Sequence, residues 1–62
     1  MNEAEELELE ALMRQRRTSS ARLNRALGEL QGSGRGGEEA LLAIEEAEGV
    51  LRSLAALINR LT

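Results

Sequence analysis

With 62 residues and no Cys, His, Pro or aromatic side chain, the chain can form one small domain that buries only about 60% of its unfolded surface. Disulfides and thiolate metal sites are excluded, and the commonest metal ligand and general base is missing, so any staple must come from packing or from a partner. Leu, Ala, Glu and Arg dominate, which favours helix, while the net charge of −3 opposes non-specific attraction to nucleic acid or anionic lipid.

In chain order, Asn2 followed by Glu5 fits a capping box, the Asn side chain accepting a backbone N–H while the Glu reaches back. This predicts a first helix over about residues 2–31, with no Gly or Pro before Gly28. Its start carries Glu3, Glu5, Glu6, Glu8 and Glu10, the reverse of the basic opening of a secretory signal. The longest apolar run, Leu54 to Ile58, falls far short of the roughly 20 residues of a membrane span. The expectation is a soluble, cytoplasmic chain without membrane contact.

Residues 32–37, GSGRGG, include four glycines and predict a turn, since glycine alone adopts left-handed backbone at no steric cost. A second helix is predicted over about residues 38–61, with Glu38 and Glu39 suiting the positive end of its dipole. The two helices would be roughly 45 and 36 Å long at 1.5 Å per residue, and the short turn makes them antiparallel. The fold class is therefore all-α, a coiled-coil-like two-helix hairpin forming a single domain over residues 1–62.

Spacing proposes the seam between the helices. Helix 2 offers Ala40, Ile44, Ala47, Leu51, Leu54, Ile58 and Leu61, alternating by four and three as a coiled-coil seam requires. Helix 1 offers Leu9, Met13, Arg16, Ser20, Leu23, Leu27 and Leu30 at the same alternation. Folding about residue 35 sets Leu30 against Ala40, Leu27 against Ile44, Leu23 against Ala47, Met13 against Ile58 and Leu9 against Leu61, pairing large with small. Ser20 then faces Leu51, and Arg16 lays its methylenes over Leu54 with its charged head in solvent.

Helix 2 is apolar beyond that seam. Ala43, Val50 and Leu57 form a second row at seven-residue spacing, Leu41 and Ala55 flank the seam, and the opposite row reads Leu42, Gly49, Ala56. One neighbouring helix covers only a stripe, so a further surface is expected: a second copy in a four-helix bundle, or a different protein with a complementary groove.

No catalytic, cofactor-binding or metal-ligating residue is expected. Glu is the only side chain with useful acid–base chemistry near neutral pH, and it needs a shielded cleft; here the glutamates occupy helix N-termini and the polar strip. A helical carboxylate-bridged metal pair normally brings Glu-x-x-His. Arg14, Arg16, Arg17, Arg22 and Arg25 lie within about three helical turns and suit phosphate contacts. A dimeric hairpin of this length also looks superficially like the Rop-type RNA-binding regulator of plasmid copy number. The absence of stacking aromatics and the nearby carboxylates weigh against nucleic acid as a partner. Helix-surface pairs Glu10–Arg14 and Glu48–Arg52, and Arg25 level with Glu45 and Glu46, offer these arginines a local role.

GGEEALLAIEEAEGVLRSLAALI, Gly36 to Ile58, following LEALMRQ, Leu9 to Gln15, resembles the small type III secretion needle co-chaperones of the YscE and PscE type. The SsaE and EscE branch looks closest, through LLAIEEAEGVL, Leu41 to Leu51. The resemblance spans nearly the whole chain. It implies a cytoplasmic, non-catalytic co-chaperone that pairs with a larger helical-repeat, TPR-like chaperone, the two together holding the needle subunit monomeric before export. It places the apolar face of the hairpin on the larger partner, with Leu41, Val50, Leu54 and Leu57 as anchors and Arg16 and Arg17 as a polar rim. Free of partners, such a chain could pair with itself as a homodimer. The alternatives are a homodimeric, Rop-like RNA binder, and a designed or structural self-associating hairpin, given the linker-like GSGRGG.

Overall fold

A computed structural model describes residues 1–62, an all-helical hairpin of two antiparallel helices, α1 over Glu3–Ser33 and α2 over Gly37–Leu61. The molecule measures 46 × 15 × 12 Å, so it is one layer of two helices with no second layer behind it. The capping box is present: the Asn2 side chain accepts the Glu5 backbone N–H at 2.8 Å, and the Asn2 N–H donates to Glu5 Oε1 at 2.9 Å. Glu3, Glu5 and Glu6 crowd the first turn, where the unpaired amides and the dipole favour negative charge.

The turn is tighter than its composition suggests. Helix α1 continues through Gly32 and Ser33, and only residues 34–36 leave helical geometry. The Ser33 hydroxyl donates to the Glu29 carbonyl at 2.7 Å and accepts the Arg35 N–H at 3.3 Å, carrying the helix two residues past position 31. Gly34 then takes φ 71° as the C-cap, its N–H donating to the Leu30 carbonyl at 2.8 Å. Gly36 takes φ 88° at the start of α2. These two left-handed residues reverse the chain, a conformation costing non-glycine residues about 1–2 kcal/mol each.

The hairpin keeps the register expected from folding about residue 35, but its seam is rotated. The row Leu9, Arg16, Leu23, Leu30 on α1 and the row Ala40, Ala47, Leu54, Leu61 on α2 remain at the contact, all buried or half-buried except Arg16. The alternating positions are Leu12, Ser19 and Ala26 on α1 and Ala43, Val50 and Leu57 on α2. Met13, Leu27, Ile44, Leu51 and Ile58, expected inside the seam, are instead 40%, 42%, 36%, 54% and 52% exposed. Ser20 is half-buried beside the seam, whose centre is Ser19.

Ion pairs and size explain the rotation. Arg22 bonds Glu46 across the hairpin, and Arg60 bonds Glu8. Each of these residues immediately precedes a residue of the retained row (Arg22 before Leu23, Glu46 before Ala47, Glu8 before Leu9, Arg60 before Leu61), so all four lie on the same flank. They can meet only if the seam turns toward them, which makes Leu12, Ser19, Ala26 and their counterparts the inner row. That row is also the smaller one. Ala26 lies level with Ala43 and Ser19 with Val50, small side chains of the kind that permit close helix packing.

Ala40, Leu57 and Ser19 are the buried side chains. The Ser19 hydroxyl, sealed in the contact, donates to the Arg16 carbonyl one turn back at 3.2 Å, which satisfies its hydrogen-bonding need without a cross-helix partner. Three buried residues out of 62 make a thin core, and most of the apolar surface of α2 stays in contact with water.

Candidate interaction surface

The rotated seam divides the hairpin into two unlike flanks. On one, Arg22 Nη1 donates to both Glu46 oxygens at 3.0 Å, and Arg60 Nη2 bonds Glu8 Oε2. A shallow groove runs beside the first pair, lined by Arg25, Glu29, Glu39 and Leu42 among others. Its charges alternate in sign and it is open to solvent, a solvated ion-paired surface. No group of three acidic side chains is placed to hold a metal ion.

The other flank is apolar. In both helices a step of one residue turns the side chain 100° around the axis, so Met13, Ser20 and Leu27 follow the inner row of α1 onto this side, as Ile44, Leu51 and Ile58 follow that of α2. Antiparallel helices sharing a seam present these rows to the same flank, opposite the ion pairs. Met13 lies level with Ile58, Ser20 with Leu51 and Leu27 with Ile44. The result is a stripe of three layers, seven residues or about 10 Å apart. Leu41 extends the stripe toward the turn and is among the most exposed large apolar residues.

This redistributes the residues expected at a partner interface. Leu57 is fully buried in the hairpin and is not accessible to a partner, while Val50 and Leu54 are half-buried at the contact between the helices. Leu41 is exposed, while Ile44, Leu51 and Ile58, assigned by spacing to the seam, form the accessible stripe. Arg17 borders that stripe on α1, and Arg16 sits in the seam row, exposed above Leu54. The sequence does hold a signal for this arrangement: opposite charges at Arg22 and Glu46, and at Glu8 and Arg60, are level across the hairpin and compatible with one rotation of the seam.

The basic stretch of α1 is partly committed within the fold. Arg22 is bound to Glu46, in place of the expected alignment of Arg25 with that residue. Neither Glu10–Arg14 nor Glu48–Arg52 forms an ion pair; the two that form both join α1 to α2. Arg14, Arg17 and Arg25 are exposed on the outward side of α1, away from the apolar stripe apart from Arg17. No helix is long and apolar enough to cross a membrane.

No protein-family model, curated protein or solved structure matches this chain.

Proposed function

We propose that this hairpin is a non-catalytic protein-interaction module, acting as a cytoplasmic co-chaperone of type III secretion that docks on a larger helical-repeat chaperone and helps keep the needle subunit monomeric. The observation that supports it is the partly exposed stripe of Met13, Leu27, Ile44, Leu51 and Ile58, which share one flank of the hairpin. A helical-repeat groove takes an amphipathic helical surface of this shape, with apolar anchors at seven-residue spacing and a polar edge. The segment Leu41 to Leu51 that carries the family resemblance contributes Leu41, Ile44 and Leu51 to that surface.

The mechanism is capping. A needle subunit polymerises by burying its own amphipathic helix against further copies, so a chaperone pair that occupies this helix removes the competing partner. The hairpin's contribution is to cover and stabilise the larger chaperone through the apolar stripe, with Arg17 at the rim. Co-expression with a helical-repeat chaperone and its needle subunit is the test. A soluble complex, lost on Leu51→Glu and retained on Leu42→Glu, supports the reading; no soluble complex with the parent chain overturns it.

A further inference from the structure

We infer that the outward face of α1, centred on Ala21, is a recognition surface for an acidic protein segment. The inference does not rest on the co-chaperone reading, which uses the apolar flank.

The distribution of charge carries it. Between Glu10 and Glu29 the chain holds Arg14, Arg16, Arg17, Arg22 and Arg25 and no carboxylate, although its net charge is −3. Of these arginines the fold engages only Arg22, on Glu46; the others are exposed and form no ion pair. At 100° per residue, Arg14, Ala21 and Arg25 point within about 30° of the direction leading straight away from α2, where α2 offers no counter-charge. Thr18 and Asn24, the neighbours of Ala21 three positions away on the helix surface, are uncharged and exposed.

Helix stability does not account for this placement. Arginine favours the last turn of a helix, at the negative end of the dipole, yet the last turn of α1 holds no basic residue. Arg14 and Arg17 are instead spaced by three, as are Arg22 and Arg25, a spacing at which like charges are neighbours and repel. Glu10, four residues before Arg14, does not pair with it.

Complementarity selects the occupant. From Arg14 to Arg25 the face runs about 16 Å and is bounded by Glu10 and Glu29, so it matches a short run of carboxylates and repels a polyanion that continues past either end. The small Ala21 at its centre lets a partner's backbone come near, while the guanidinium groups on either side can each take a carboxylate through paired hydrogen bonds. Within the hairpin Arg22 already holds both oxygens of a carboxylate. A nucleic-acid strand would find no aromatic side chain on which to stack its bases.

Fluorescence anisotropy of the full chain with a labelled oligoglutamate of about six residues, roughly 20 Å when extended, tests this at low salt. Binding should weaken as salt rises and fall by roughly tenfold in Arg14→Gln/Arg25→Gln. It should change much less in Arg35→Gln/Arg52→Gln, which removes the same charge from other exposed, unpaired sites. An oligouridylate of equal charge should bind more weakly than the peptide. Circular dichroism should show the same helicity in the parent and both double variants; a loss in Arg14→Gln/Arg25→Gln would assign these arginines to the fold and overturn the inference. No peptide binding by the parent chain, equal losses in the two double variants, or tighter binding of the oligouridylate would each overturn it as well. No chaperone or needle subunit takes part, so failure here is distinct from failure of the co-chaperone complex.

Discussion

Arg22 Nη1 donates to both carboxylate oxygens of Glu46 at 3.0 Å, across the hairpin and 24 positions apart in the chain. Both side chains remain about half exposed, so the pair's strength is modest, and its importance is geometric: it fixes which sides of α1 and α2 face each other. A double-mutant cycle with Arg22→Gln and Glu46→Gln should show a coupling of about 0.2–1 kcal/mol, shrinking as salt is raised. The same cycle with Arg25→Gln and Glu46→Gln should be additive. Coupling at Arg25 instead of Arg22 would restore the expected seam.

The rotation is tested more strongly by neighbouring residues of α2. Leu57 is fully buried in the hairpin, while Ile58 lies half exposed on the apolar flank. Leu57→Ala should destabilise the fold by about 2–5 kcal/mol, the usual range for a buried Leu truncation. Ile58→Ala should cost less, because about half of that side chain is already in water. Denaturant melts of the two variants compare the losses.

These two comparisons show where the sequence was sufficient. Two helices, their antiparallel arrangement and the capping box at Asn2 and Glu5 follow from local chemistry, because helix propensity, caps and glycines act within a few residues. The register follows from the length of the turn. The rotation of the seam does not, because both flanks of the row Leu9, Leu23, Leu30 offer residues at correct spacing. Reading by hydrophobicity selects Met13, Leu27, Ile44, Leu51 and Ile58, which are larger. The fold selects Leu12, Ser19, Ala26, Ala43, Val50 and Leu57, because small residues let the helices close and the ion pairs form. For the same reason the candidate surface was displaced by one residue along α2, from Val50 and Leu57 to Leu51 and Ile58.

Glycine substitutions give opposite signs at different positions. A Cβ at Gly28 or Gly49 meets no atom within 4 Å, and both positions are helical, so Gly28→Ala and Gly49→Ala should each stabilise the chain by about 0.8–1 kcal/mol. Space is equally open at Gly34 and Gly36, but their φ values of 71° and 88° oppose any side chain. Alanine there should destabilise by about 1–2 kcal/mol per site. Thermal melts of the four variants check the set, and a loss at Gly49 would mean that the helices approach each other more closely there than the structure has them.

Ser19 and Ser20 are adjacent and nearly isosteric with alanine, yet the fold uses them differently. Ser19 is buried at the middle of the contact, its hydroxyl donating to the Arg16 carbonyl, whereas Ser20 is half-buried on the apolar flank. Ser19→Leu adds bulk to a position that is buried in the contact between α1 and α2. Overpacking of that kind costs about 1–3 kcal/mol, and pushing the helices apart should also weaken the Arg22–Glu46 pair, so the coupling measured above should fall in that background. Ser19→Ala removes only a hydroxyl whose acceptor lies in its own helix, and should be nearly neutral. Ser20→Leu should leave the hairpin's helicity unchanged, because its side chain points onto the open flank. Circular dichroism on the three variants checks the assignment: loss of helicity on Ser20→Leu together with tolerance of Ser19→Leu would reverse the rotation.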